Sequence, residues 1–284
     1  MARVFLLTTL TMVAFAANSL LNRAALVEGE AGAAAFAALR LISGAVVLAL
    51  ISARRGGVPP LWTRQRALGA ASLALYMLGF SFAYVALDAG LGALVLFGMV
   101  QLTMFGGGVV LGERPAAARW IGAALALFGL AWLVWPGSTD APNAVAVLLM
   151  VAAGFGWGLY SLAGRGATDP LSETAANFLC ATPVALLIWI VWPDGVTLRS
   201  ALLAMVSGGL TSGLGYALWY SLLPRLEASV AALAQLTVPV IAVAGGVILL
   251  AEPVTLRLIL ASAVILGGVA FGILGQRRIG SKVS

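Results

Sequence analysis

Residues 105–115 read FGGGVVLGERP, and residues 244–254 read AGGVILLAEPV. Each stretch ends an apolar run with paired glycines and closes on a glutamate, Glu113 or Glu252. A further apolar run of about 20 residues, the length a membrane helix needs, follows each one. If both glutamates mark the ends of membrane helices, the chain is two related halves. The direction of each half then decides the architecture.

The composition leaves no room for a soluble protein. Of 284 residues, 62% are hydrophobic and only 9% are charged, and the mean hydropathy is +1.07. A soluble domain carries roughly a quarter charged residues. The apolar runs are long, rich in Leu, Ala, Val and Gly, and lack the ~10-residue polar/apolar alternation of a membrane barrel. Spanning helices satisfy every backbone group internally and fit this pattern. One cysteine, Cys180, cannot form an internal disulfide, and the absence of histidine excludes a His-based metal or proton site. No cofactor is expected. The net charge of +6 belongs to cytoplasmic loops facing a lipid bilayer and not to a nucleic-acid surface.

Ten apolar spans are predicted, at 4–22, 32–53, 67–87, 90–111, 117–135, 143–163, 172–192, 199–222, 228–250 and 256–275. Turn residues punctuate the gaps: Arg54-Arg55-Gly56-Gly57 with Pro59-Pro60, Trp135-Pro136-Gly137, Asp169-Pro170, and Trp192-Pro193-Asp194-Gly195. The third-to-fourth and eighth-to-ninth connections are short enough for tight hairpins. No loop can hold a soluble domain. Arg3, an apolar core and Ala14-Phe15-Ala16 also look like a cleaved signal peptide, but the segment has a counterpart later in the chain.

Counting Lys and Arg sets the orientation. With the N-terminus inside, the inner loops hold twelve: Arg3, Arg54, Arg55, Arg64, Arg66, Arg114, Arg119, Arg165, Arg225, Arg277, Arg278 and Lys282. The outer loops hold three, Arg23, Arg199 and Arg257, and Arg40 falls within the second span. Both termini are therefore expected to be cytoplasmic, which requires an even number of spans.

Pairing residue n with n+139 aligns Gly106 with Gly245, Gly107 with Gly246, Leu111 with Leu250 and Glu113 with Glu252. The glutamate match carries weight because charges are rare here. At shifted offsets, Leu78-Gly79 and Tyr84 match Leu214-Gly215 and Tyr220, and Ser19-Leu20 and Arg23 match Ser161-Leu162 and Arg165. The expected fold class is an all-α polytopic membrane protein of ten transmembrane helices, arranged as two five-helix repeats, 1–138 and 139–284. Five is odd, so the second repeat enters from the other side. Glu113 then lies at the cytoplasmic face and Glu252 at the outer face. Inverted repeats of this kind are common in secondary transporters, with the substrate near the midplane.

The paired closures GGGVVLGERP and GGVILLAEP, the stretch LTVPVIAVAGG at 236–246, and Arg40 within ALRLISGAVVL resemble the drug/metabolite transporter superfamily, in its EamA-type branch. Trp157-Gly158-Leu159-Tyr160-Ser161 followed by Arg165, and the tyrosines of the third and eighth spans, look most like the bacterial aromatic amino acid exporters. One departure stands out. Gly98-Met99-Val100-Gln101 occupies the place of Thr237-Val238-Pro239-Val240, so the first half lacks the proline and the halves need not move alike.

No catalytic set is visible, and Gly154-Phe155-Gly156-Trp157-Gly158 reads as small residues for helix packing. Candidate substrate-binding residues are polar or ring-bearing positions within spans. They are Asn18 (with Asn22), Gln101, Gln235, Tyr76, Phe80, Tyr84, Trp157, Tyr160, Ser161, Tyr216 and Tyr220. Rings and amides suit an amphipathic, zwitterionic or aromatic solute. With no ionisable group placed mid-span, the cavity is expected to be near neutral. Arg40 either snorkels to the outer surface or pairs with a carboxylate or backbone carbonyls at the cavity mouth. Glu113 and Glu252 are read as helix starts that complement the dipoles of the fifth and tenth spans, with gating or proton coupling as the alternative. Gly106, Gly107, Gly108, Pro239, Gly245 and Gly246 mark packing or bending points.

These residues predict a transporter in the bacterial inner membrane, a monomer or weak homodimer. It would export amino acids, aromatic ones first, or similar small metabolites by alternating access. Without a mid-span carboxylate it reads as a facilitator. Proton-coupled drug efflux, nucleotide-sugar carriage and a non-transport lipid-handling protein are the rival readings.

Overall fold

In the computed structural model, the described residues are 2–27, 29, 31–57, 61, 63–135, 142–164, 167, 169–226 and 228–280. Arg165, Pro59, Pro60, Pro136, Gly137 and Lys282, used in the sequence reading, lie outside them. The described chain is helical throughout. In order come α1 (Ala2–Leu26), α2 (Ala33–Ala53), α3 (Arg64–Ala83), α4 (Ala89–Val110), α5 (Ala117–Leu133), α6 (Ala144–Ala163) and α7 (Pro170–Val191). Next, α8 (Leu198–Met205), a π-helical segment (Val206–Leu214) and α9 (Gly215–Leu222) form one continuous rod. Then α10 (Ala228–Gln235), α11 (Thr237–Leu250) and α12 (Leu256–Gly280) complete the bundle.

Nine helical stretches among the described residues are long and apolar enough to cross a membrane. The predicted fifth span is shorter than expected: α5 has 17 residues, about 26 Å at 1.5 Å per residue. The chain is a multi-pass membrane protein with nine to ten apolar helices. Its outer shell carries exposed Phe5, Leu6, Val110, Ile190, Trp192 and Ile248, which water would not tolerate in such number. α1 packs into the bundle. Phe15, Ala16, Asn18, Ser19 and Asn22 are all buried in the bundle.

Small residues let the inner helices approach. A Cβ on Gly154 would meet the Leu96 carbonyl of α4, one on Gly156 the Ser72 carbonyl of α3, and one on Gly158 the Thr103 side chain of α4. The glycine run thus threads α6 between two neighbours, as expected of small residues at helix contacts in lipid. Along the outer pair, Gly122 of α5 faces the Gly268 carbonyl of α12 at 2.4 Å from a would-be Cβ. Gly107, Gly108, Gly245 and Gly246 also sit under close neighbours, but Gly106 faces open space and marks no contact.

The predicted ninth span is broken at Leu236 between α10 and α11. Pro239 explains the break, since it has no N–H for the Gln235 carbonyl one turn earlier. Gln235 ends α10 there and is buried. The matching stretch of α4 has no proline and runs unbroken.

Candidate functional site

The bundle interior is polar where a membrane protein can least afford it. Asn18 on α1 is a hub whose Oδ1 accepts from Ser207 Oγ at 2.9 Å, Thr211 Oγ1 at 2.6 Å and Ser212 Oγ at 3.1 Å. The π-helical segment makes this possible, because its wide turn swings three hydroxyls from VSGGLTSGL onto one amide. Such segments are frequent at functional sites. Gly208, in the same segment, lies against the Arg40 carbonyl of α2, where a Cβ would not fit. One turn along α1, Asn22 donates to the Asn18 carbonyl and accepts from Ser81.

Arg40 completes the network. It is fully buried. Its Nε donates to Ser212 at 3.1 Å, and its Nη2 donates to Ser212 and to the Tyr76 hydroxyl. The guanidinium lies 4.9 Å from the Phe80 ring centroid and 5.4 Å from that of Tyr76, a cation–π arrangement. Nη1 has no acceptor. Neither predicted role holds: Arg40 does not snorkel, and among the described residues it meets no carboxylate and donates to no backbone carbonyl. Nor is the interior near neutral. A buried charge without a counter-ion costs on the order of several kcal/mol, so the cationic centre is an expensive feature.

Rings gather beside it. Tyr76 lies 5.0 Å and Tyr216 4.7 Å from Trp157, and Phe15, missed in the sequence, packs edge-on to Trp157 and Tyr216. Phe15, Asn18, Ser19, Tyr76, Phe80, Trp157 and Tyr216 line one cleft with Leu96 and Phe97. Its volume is about 10 Å³, room for no more than one water. Among the described residues the Trp157 Nε1–H has no acceptor.

From the cleft a line of rings runs towards one end of the bundle. Trp157 stacks on Tyr160 at 5.5 Å, and Tyr160 meets Tyr220 at 6.4 Å. These two tyrosines wall a larger cavity of about 180 Å³, the vestibule, with Arg66, Glu173, Thr174 and Asn177. Arg66 of α3 and Glu173 of α7 pair at 2.6 Å there. Of these last four, the sequence reading uses only Arg66, as an inner-loop charge.

Other predicted site residues fall elsewhere. Tyr84 packs on Phe80 but donates to the Ala89 carbonyl, closing the α3–α4 hairpin. Ser161 donates back to Trp157 O on its own helix. Gln101 is half-buried with an unpaired Nε2 and lines neither cavity. Glu252 does not serve α12. Ala251 takes a left-handed conformation (φ 53°) that ends α11 and turns Glu252 sideways onto α4. There it accepts from Ala89 N at 2.7 Å and, longer, from Gly90 N at 3.5 Å. Burial raises its pKa above the ordinary value, against the opposing pull of the Ala89 N–H. Glu113 lies 3.9 Å from Arg119.

Apolar helices packed around a closed polar and aromatic cleft, with a larger vestibule beside it, define a polytopic membrane protein. Comparisons narrow the class. Residues 144–274 match the EamA-like transporter family. An uncharacterized protein of Pseudomonas aeruginosa is 49% identical over 271 residues, covering 94% of this chain and 93% of its own. A probable amino-acid metabolite efflux pump of Escherichia coli is 26% identical over 218 residues, 70% of this chain and 73% of the pump. A crystal structure of a protein 22% identical in sequence superposes with a TM-score of 0.70, covering 96% of this chain and 97% of that one. Residues 144–274 thus form an EamA-like transporter domain, and with the transporter relatives this makes the chain a membrane transporter.

Proposed function

We propose that the protein exports amino acids, aromatic ones first, or similar small amphipathic metabolites across the bacterial inner membrane by alternating access. The observation that carries this reading is the unbroken path of rings Tyr216, Trp157, Tyr160 and Tyr220 from the buried cleft to the vestibule. Rings give apolar contact with polar tips, the surface an amphipathic solute needs. The vestibule's 180 Å³ is below the ~300–1,000 Å³ of drug-sized sites, which favours a small metabolite over a drug or a nucleotide-sugar. The efflux-pump relative points the same way.

In this reading residues 1–138 and 139–284 are inverted halves, both termini are cytoplasmic, and the vestibule opens inward while the other end is shut. The described carboxylates, Asp88, Glu113, Asp169, Glu173, Asp194 and Glu252, all lie at helix ends or between helices. That supports a facilitator. A proton-driven carrier usually places an acid within the membrane.

Counterflow in proteoliposomes with labelled amino acids, drugs and polyamines tests the reading. Amino acid exchange is expected, and its absence across the panel rejects the proposal. A pH gradient needed for accumulation would remove the facilitator part. Trp157→Ala should cut amino acid flux about tenfold, in line with the loss of a central buried aromatic contact, at unchanged expression. Unchanged flux would assign the ring to packing.

A further inference from the structure

The chain treats its interior arginines in two ways. Arg66 meets Glu173 at 2.6 Å. Arg23 lies between Asp88 at 3.3 Å and Glu252 at 3.7 Å. Both are neutralised by carboxylates the fold brings to them. Arg40 is buried more deeply than either, at 0% exposure, and among the described residues it has no carboxylate within ion-pair distance. Hydroxyls of Ser212 and Tyr76 take its Nε and Nη2, and Nη1 is left without an acceptor.

The uncompensated charge sits next to the cleft. Tyr76 and Phe80, which hold the guanidinium, are also cleft walls. Trp157, on the facing wall, has a second unspent donor in its Nε1–H. Two unspent donors and a net positive charge are complementary to one chemical group, a planar carboxylate, which an arginine binds at its flat edge. No acidic side chain lines the cleft among the described residues, so an ammonium group would meet ring faces and neutral oxygens but no counter-charge.

We propose that Arg40 is the anion-binding element of the cleft, and that the transported solute is a small amphipathic molecule recognised by its carboxylate. The carboxylate takes Nη1 of Arg40, and the apolar body lies among Tyr76, Phe80 and Trp157. The assignment rests on the transport reading for the word transported, and on charge balance for the rest. Binding requires the collapsed cleft to widen towards Nη1, while Tyr76 can keep its bond from Nη2.

The test uses purified full-length protein and three probes that share one ring: labelled phenylalanine, 3-phenylpropanoate (no amine) and phenethylamine (no carboxylate). In counterflow, unlabelled 3-phenylpropanoate should compete with phenylalanine at least about tenfold better than phenethylamine, the scale of one charge-assisted hydrogen bond. Equal competition, or preference for the amine, overturns the proposal and leaves the transport reading standing. Should phenylalanine give no counterflow, calorimetric titration with 3-phenylpropanoate decides independently. Binding to wild type that is lost in Arg40→Gln and partly kept in Arg40→Lys supports the anion site and fails transport alone, and no binding overturns the site. The probe comparison on wild type holds even where a variant fails to fold.

Discussion

The two ends of the bundle solve one problem differently. A helix that starts inside a membrane protein exposes backbone N–H groups needing acceptors. At the vestibule end, α3 is capped by Thr63 and α7 by Asp169, each the residue immediately before its helix. At the opposite end α6, α8 and α12 also start on local caps, Asn143, Thr197 and Thr255, but α2 is capped by Asp194, 160 residues away, whose carboxylate accepts from Ala34 and Ala35 at 2.8 Å. α4 is capped by Glu252, although Asp88 sits at its own cap position and turns to Arg23 instead. Arg257 donates to the Trp132 and Trp135 carbonyls at the far end of α5. A local cap leaves neighbouring elements free to part. A remote cap ties two elements together, so separation strips hydrogen bonds from both. Both remote carboxylate caps, on α2 and α4, lie at the end away from the vestibule.

Replacing three capping carboxylates by alanine breaks the comparison in graded steps. Asp194→Ala removes two short charge-assisted bonds and should cost about 3 kcal/mol, read as the largest fall in thermal midpoint. It should also change counterflow, because the clasp governs opening. Gly32→Ala makes the same break sterically, since its Cβ would overlap Asp194. Glu252→Ala leaves the first N–H groups of α4 without acceptors and should cost about 2 kcal/mol, the upper range for a lost cap. Asp169→Ala should cost about 1 kcal/mol, an ordinary cap, with counterflow unchanged. A flux change in Asp169→Ala equal to that in Asp194→Ala would erase the distinction between the ends.

The smallest expected effect is of pH. Burial raises the Glu252 pKa above its ordinary 4.5, so the clasped carboxylate holds a proton more tightly than a solvated one. Acidification through the window between the raised pKa and 4.5 favours the clasped arrangement, and rising pH through it weakens the clasp. Wild-type counterflow should therefore slow modestly as the pH at that face falls towards 4.5, and Glu252→Ala should lose this component.

Much of the central cleft was legible in the sequence because rings four residues apart share a helix face. Tyr76 with Phe80, Trp157, and Tyr216 are candidates on three separate spans, and packing brings them to one cleft. The same rule misled at Tyr84, a turn further along α3, where the helix ends and the hydroxyl closes a hairpin. Ser207, Thr211 and Ser212 were passed over because their convergence needs a π-helical turn that no local pattern announces. Pro239 was legible as a break, since a missing N–H acts wherever the proline stands.

The sequence by itself determined that the chain spans a membrane, roughly how many times, and that its carboxylates stay near helix ends. Hydropathy and helix breaking are properties of about 20 consecutive residues, and no partner need be known. The tertiary structure alone decided that Asp194 and Glu252 cap helices far from them in the chain, and that Arg40 lies beside hydroxyls and rings with no carboxylate partner among the described residues. Charge balance in an interior depends on which side chains meet across the bundle, and packing is what sets those meetings.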